Sequence, residues 1–302
     1  MARTALVAPV SAAFAPPSSL VWRAIALIAA LPAGGCGEGV LDPRGPVAFD
    51  ERTILFNSLG IMLAIVIPTI LATLGVAFWF RASNTRATYD PDFQYSGRIE
   101  LMVWSIPAMT VLLLGSLCWV GAHDLDPPKP IASAAKPLTV QVVSLDWKWL
   151  FIYPQQGIAS VNTLTIPAAT PISFELTSSG VMNSFFVPQL GGQIYTMGAM
   201  TTRLQLLAEE PGTYEGRSAN FSGSGFADMY FYVHAVPPDQ FSGWVAKTKG
   251  AGPALDRASY DELAKPSRAV PPFTYASVSS GLFETLVGSG MPPIGPTRAD
   301  TR

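Results

Sequence analysis

The sequence predicts a two-helix transmembrane hairpin that carries an all-β sandwich, followed by a short helical C-terminal region. Of its 302 residues, 49% are hydrophobic and 13% are charged, against about 25% charged in an ordinary soluble domain. Two long apolar runs lie in the first half of the chain. Short runs of apolar, β-branched and aromatic residues follow them, separated by Pro and Gly as in a sandwich.

The first 35 residues are typical of an export signal. Basic residues precede an apolar stretch at 24–31, and small residues stand directly before Cys36. This order is similar to that of bacterial lipoproteins, whose cysteine is acylated and becomes the mature N-terminus. We therefore expect a signal peptide over 1–35, lipidation at Cys36 and a periplasmic segment over 36–53. The alternative is an uncleaved anchor with an incidental cysteine.

The apolar runs at 54–80 and 101–122 are each long enough to span a bilayer, which requires about 20 residues. The segment between them, 81–100, carries Arg81, Arg86 and Arg98. Arginine in a short loop favours the cytoplasmic side. We therefore predict a multi-pass protein whose N-terminus and C-terminal domain lie on the periplasmic side of a bacterial inner membrane.

A Pro-rich linker over 123–136 leads to the predicted β domain over 137–236. Beyond it, 237–287 has helical patterning, and the Gly- and Pro-rich tail 288–302 is predicted to be disordered. Strands are predicted at 138–145, 148–153, 162–166, 172–177, 203–207 and 229–236. Helices are predicted at 239–249, 257–264 and 282–287.

The chain has two cysteines and two histidines, Cys36, Cys118, His123 and His234. Their separation predicts neither a disulfide framework nor a metal cluster. His234 is interpreted as a polar residue on a sheet face and His123 as an interfacial residue. The net charge of −2 and the absence of a basic stripe argue against a nucleic-acid partner.

The segment 218–229 reads SANFSGSGFADM and is similar to the copper loop of cytochrome c oxidase subunit II, Cys-x-x-x-Cys-x-x-x-His-x-x-Met. Aligned with that pattern, the thiolate positions hold Ser218 and Ser222. The histidine position holds Phe226, and only Met229 keeps its ligand type. Upstream, 182–188 resembles the strand that supplies the second histidine of the pattern.

Asn183 occupies that second histidine position, and Asn220 stands where the family offers a backbone carbonyl. A dinuclear copper centre needs thiolate bridges and imidazoles, so we expect no metal and no redox centre in this chain. We also expect Phe185 and Phe226 to fill the space that the imidazoles would occupy. The aromatic segment 146–149 is interpreted as packing.

The body of the chain, from about 49 to 287, resembles subunit II of a bacterial cytochrome bo-type ubiquinol oxidase, a member of the haem-copper oxidase superfamily. The resemblance implies a membrane hairpin carrying a cupredoxin-like Greek-key sandwich. It also implies that quinol delivers electrons directly to subunit I, which holds the haems and copper, without cytochrome c. The segments that carry the resemblance are 81–84, 142–149, 182–188, 193–195, 210–214 and 241–247.

Glu100, at the start of the second apolar run, matches a glutamate that this superfamily places at the cytoplasmic mouth of a proton pathway. Ionisable residues at membrane depth are costly and are often functional. The resemblance therefore implies proton entry at Glu100. The alternative is an ordinary carboxylate favoured by the helix dipole.

The sequence thus favours a non-redox subunit II of a proton-pumping terminal quinol oxidase, which oxidises ubiquinol and reduces oxygen to water. Its expected partners are subunit I, the other oxidase subunits and the lipid bilayer. Two alternatives are a free-standing periplasmic lipoprotein with a cupredoxin-like binding domain and a copper-containing cytochrome c oxidase subunit II. The second would require two cysteines in the segment 218–229, which has none.

Overall fold

A computed structural model describes residues 39–88 and 90–288. Two long helices, α1 (Pro46–Trp79) and α2 (Gly97–Asp124), contain the predicted apolar runs almost completely. Both are long and apolar enough to cross a membrane. Helix α1 begins well before the predicted start at residue 54, and Pro46 lies in its first turn, where proline is well tolerated.

The β domain consists of two packed sheets and a small two-stranded one. The strands are β1 Leu138–Leu145, β2 Lys148–Tyr153, β3 Ile158–Val161, β4 Thr163–Pro167, β5 Ile172–Ser178, β6 Asn183–Phe186, β7 Ile194–Thr196, β8 Thr202–Leu206, β9 Gly212–Ser218, β10 Tyr230–Val236, β11 Ala254–Leu255, β12 Phe273–Tyr275 and β13 Ser277–Val278. One sheet has the order β12-β3-β2-β1-β5-β8 and the other β4-β10-β9-β6-β7. The predicted hairpin-and-sandwich fold is confirmed.

The core between the two sheets is rich in aromatic side chains. The rings of Phe185 and Phe231 stack with their centroids 5.2 Å apart, and Trp149 meets Phe185 edge-on at 5.5 Å. Gly216 makes room for this cluster, since a Cβ there would lie 2.1 Å from Cζ of Phe231. Such packing fixes the strand β6, which begins at Asn183.

The C-terminal region contains helices α3 (Pro238–Lys249), α4 (Arg257–Leu263) and α5 (Leu282–Gly288), close to the predicted ones. The region also contributes a strand, because β12 pairs antiparallel with β3 at the edge of the six-stranded sheet. A second apolar cluster, which includes Leu255, Tyr260 and Phe283, covers the outer face of this sheet. Strand β2 is therefore buried along its whole length.

The segment before α1 is fastened to the β domain. The Arg44 N–H donates to the Gln189 carbonyl at 2.7 Å, and the Arg44 guanidinium pairs with Glu210 at 3.2 Å. Gly45 passes so close to Leu207 that a Cβ at position 45 would lie 2.2 Å from its carbonyl oxygen. These contacts join the first turn of the membrane helix to the sandwich.

Several predictions concern residues outside the described part of the chain. They are the signal peptide over 1–35, the lipidation of Cys36 and the disordered tail, of which only Gly288 is described.

Candidate functional site

The segment that resembles the copper loop connects β9 to β10, and a short 3-10 helix, Phe226–Asp228, lies within it. Strand β6 pairs with β9 through Phe185 and Ser218. This pairing brings the start of β6 next to the end of β9. The two parts of the predicted site, which are distant in sequence, therefore meet in space.

Asn183, Ser218 and Asn220 form one hydrogen-bonded group. The Ser218 hydroxyl lies 3.2 Å from both Oδ1 of Asn183 and the carbonyl oxygen of Asn220, and it has one proton to donate to either. The Asn183 amide donates to the Val181 carbonyl at 3.1 Å. Asn183 is 1% exposed and Ser218 is 5% exposed. Buried polar groups are stable only when hydrogen-bonded, and these are.

Ser222 and Met229 form a second pair. The Ser222 hydroxyl donates to Sδ of Met229 at 3.9 Å, a weak bond because a thioether is a poor acceptor. The backbone N–H of Ser218 donates to the Met229 carbonyl at 3.0 Å, which links the two groups. Five of the six predicted positions are thus brought together.

Phe226 is the exception. Its ring is partly exposed and lies 5.6 Å from that of Phe221, which is 75% exposed. The 3-10 turn places the Phe226 ring at the partly exposed edge of the segment, beside a solvent-facing neighbour. That Phe226 fills the space of an imidazole stays a prediction. The Phe185 ring is fully buried, and the same expectation for it also stays a prediction.

The donor atoms at these positions do not fit a dinuclear copper centre. They comprise an amide, two hydroxyls and a thioether, whereas the centre requires soft thiolates and imidazoles. Nowhere in residues 39–88 and 90–288 do three or more His, Cys, Asp or Glu side chains form a group that could hold a metal. His234 lies within 3.1 Å of the Thr213 hydroxyl on a partly exposed strand.

The hydrogen bonds continue into the opposite sheet. The Thr196 hydroxyl lies 2.7 Å from that of Ser144 and donates to the Asn183 carbonyl at 3.4 Å. Thr196 and Ser144 are both fully buried. Sequence reasoning missed them because small hydroxyl residues in strands carry no local signal. Only the pairing of β6 with β7, which sets Asn183 opposite Thr196, places them here.

Glu100 lies in the first turn of α2, and its side chain is exposed. Its backbone N–H donates to the Ser96 carbonyl at 2.9 Å. A carboxylate at this end of a helix interacts favourably with the helix dipole. The position is far in sequence from the β9–β10 segment.

The chain is similar to known oxidase subunits. Residues 249–293 match the family model described as COX Aromatic Rich Motif. Cytochrome bo(3) ubiquinol oxidase subunit 2 of Pseudomonas aeruginosa is 49% identical over 268 residues, which are 89% of this chain and 80% of that protein. Ubiquinol oxidase subunit 2 of Acetobacter aceti is 50% identical over 269 residues, 88% of this chain and 87% of that protein.

Among solved structures, a match is found with the periplasmic domain of subunit II of cytochrome oxidase from Bradyrhizobium japonicum. The TM-score is 0.37 and the sequences are 22% identical, over 40% of this chain and 98% of that one.

Proposed function

This chain belongs to the family of quinol oxidase subunit 2, and we propose that it is a subunit of a proton-pumping terminal oxidase that carries no redox centre of its own. The observation that carries the proposal is the hydrogen bonding at the former ligand positions. The Ser218 hydroxyl lies 3.2 Å from Oδ1 of Asn183 and from the Asn220 carbonyl oxygen. The copper pattern has a thiolate at position 218 and an imidazole at position 183. Ubiquinol then delivers electrons to subunit I, which holds the haems and copper, and oxygen is reduced to water there.

The hairpin is the proposed contact with subunit I. In the most apolar window of each of α1 and α2, none of the residues is buried within this chain. Two helices with apolar surfaces on all sides cannot bury them against each other alone. They therefore face lipid and a membrane-embedded partner, while the sandwich lies on the periplasmic side of the inner membrane.

The experiment is purification of the complex in detergent, with the chain tagged at its C-terminus. We expect a haem-containing partner to co-purify, with a haem visible spectrum and ubiquinol oxidation. A chain that elutes alone, without haem, would favour the free-standing periplasmic lipoprotein.

We extend the proposal to Cys36 as an acylated N-terminus and to 1–35 as a cleaved signal. The small residues before Cys36 support it, and two acyl chains would add a firm anchor to the helices. Intact-mass spectrometry should give a chain that starts at Cys36 with added acyl mass, and Cys36→Ser should lack that mass. A mature protein that retains an unmodified Met1 would contradict both assignments.

A further inference from the structure

Trp147 lies in an unfavourable backbone conformation. Leu145 pairs with Lys148 across the β1–β2 hairpin, so Asp146 and Trp147 form a two-residue turn. Trp147 has a φ of 63°, in the left-handed region that Gly or Asn ordinarily occupies in turns. A bulky residue persists in this region only when its surroundings hold it there, and such positions often serve a function.

The indole of Trp147 is held by the β9–β10 segment. Its Nε1–H donates to the Ser222 carbonyl at 3.0 Å. A Cβ at Gly225 would lie 2.3 Å from Cδ2 of the indole, and one at Gly223 would lie 3.4 Å from Cζ2. The ring therefore rests directly on the backbone of this segment, and at Gly225 only glycine permits so close an approach.

The ring of Trp147 also contacts the C-terminal region. The Arg268 guanidinium lies 5.4 Å from the Trp147 ring centroid, within cation–π distance. Lys148 fixes the segment that carries Arg268, because its ammonium donates to the Lys265 carbonyl at 2.7 Å and to the Ser267 hydroxyl at 2.6 Å.

Lys148 is only 1% exposed, and burial lowers its pKa while the nearby Asp146 carboxylate opposes this change. A buried ammonium is tolerated when hydrogen bonds satisfy it. Asn162 adds a further tie, since its side-chain amide donates to the Val270 carbonyl at 2.8 Å. The segment 265–270 is thus fastened at both ends.

We propose that Trp147 is a positioning residue that holds the segment 219–228 in place without a metal. We also propose that the segment 265–268, which Lys148 holds by hydrogen bonds, fixes Trp147 through the Arg268 guanidinium. In the copper pattern, the ligands of the dinuclear centre would cross-link this segment. Here a hydrogen bond to its backbone and an aromatic ring against its glycines perform that task. The proposal concerns this chain alone and does not depend on the electron donor of the complex.

The test is hydrogen–deuterium exchange on the detergent-purified complex. Four amides report on the segment: Ala219, Phe226, Asp228 and Met229, each of which donates to a backbone carbonyl. Trp147→Phe keeps a ring and removes the N–H, and we expect these amides to exchange about five- to tenfold faster, as for the loss of one hydrogen bond. Trp147→Gly removes the backbone strain and should still accelerate them, while the β1 and β2 amides keep their protection.

Two variants test whether the segment 265–268 fixes Trp147. Lys148→Met should accelerate exchange in 265–270 and in 219–228 together. Arg268 is exposed, so Arg268→Ala should fold, and we expect about two- to fivefold faster exchange in 219–228 from the lost cation–π contact. Lys247→Met, at an exposed lysine on α3, is the control and should change neither segment.

Unchanged exchange of 219–228 in Trp147→Phe and Trp147→Gly would overturn the positioning role. The role of 265–268 would be overturned if Lys148→Met speeds exchange in 265–270 while exchange in 219–228 stays at the wild-type rate in both Lys148→Met and Arg268→Ala. If Lys148→Met does not fold, Arg268→Ala alone decides the second part.

Discussion

Asn183 and Ser218 occupy positions that hold metal ligands in the copper pattern, yet both are almost completely buried. A buried polar side chain costs free energy unless it is paired. Each is the other's partner at 3.2 Å, so loss of the ligands leaves no unsatisfied group at this pair. We infer that the hydrogen bonds preserve the junction of β6 and β9.

Ser218→Ala should therefore lower the free energy of unfolding by about 1–3 kcal/mol, because Oδ1 of Asn183 loses its donor while remaining buried. Ser222→Ala is the matched control. Its hydroxyl meets a weak thioether acceptor, so we expect a loss below about 1 kcal/mol. Denaturant unfolding of the detergent-purified chain measures the free energy of unfolding of both variants. Equal losses would show that the hydrogen bond to Asn183 does not stabilise the fold more than the contact of Ser222 with Met229.

Glu100→Ala should slow proton-coupled ubiquinol oxidation by about tenfold, less than the roughly 10²–10⁴ of a direct catalytic proton transfer. We expect the smaller factor because Glu100 would act at the entrance of a proton pathway and not at the reacting oxygen. Glu100→Asp should be milder, since a carboxylate remains. Turnover of the assembled complex across pH is the measurement, and wild-type rates in Glu100→Ala would remove Glu100 from proton uptake.

The residues of the site were predictable where a spaced pattern existed. Asn183, Ser218, Ser222 and Met229 align with ligand positions, and the structure brings them together. Phe226 fits the same pattern but turns outward with the 3-10 helix. Its orientation depends on the path of the loop, which residue spacing does not encode.

Among the helices and strands, the sequence predicted those with long hydrophobic patterns and missed the shortest strands. The apolar runs within α1 and α2 extend over many turns, so their composition alone predicts helices. Strand β12 has three residues, Phe273–Tyr275, too few for an alternating pattern. It forms because β3 offers an open edge, a tertiary cause that no local window contains.

The junction of α1 with the sandwich depends on a close backbone approach. Gly45→Ala should destabilise the chain by about 1–3 kcal/mol, as overpacking does, because its Cβ would lie 2.2 Å from the Leu207 carbonyl oxygen. A backbone atom cannot move aside as a flexible side chain can. The measurement is the free energy of unfolding in detergent.

Gly243→Ala is the control for this change. It lies within α3, and a Cβ there would meet nothing within 4 Å, so we expect a gain of about 0.5–1 kcal/mol from helix propensity. A Gly45→Ala chain as stable as the wild type would show that α1 is not held tightly against Leu207.

At the scale of the whole molecule, membrane hairpin and sandwich meet through a short fastened segment around Arg44 and Gly45, and the C-terminal region completes the sandwich. The β12 strand and the contacts of Lys148 with Lys265 and Ser267 make residues beyond 249 part of the domain. Experiments on the β domain should therefore keep the chain through α5. A truncation at 249 would remove an edge strand.

The most direct test of a subunit without a redox centre is copper titration of the full chain in detergent, followed by metal analysis and optical spectroscopy. The wild type should take up no stoichiometric copper. The variant Asn183→His, Ser218→Cys and Ser222→Cys, with Met229 in place, should bind copper at the positions that the structure brings together and absorb strongly in the visible through thiolate ligation. Tight binding of stoichiometric copper by the wild type, with that absorption, would contradict the proposal that this subunit carries no redox centre.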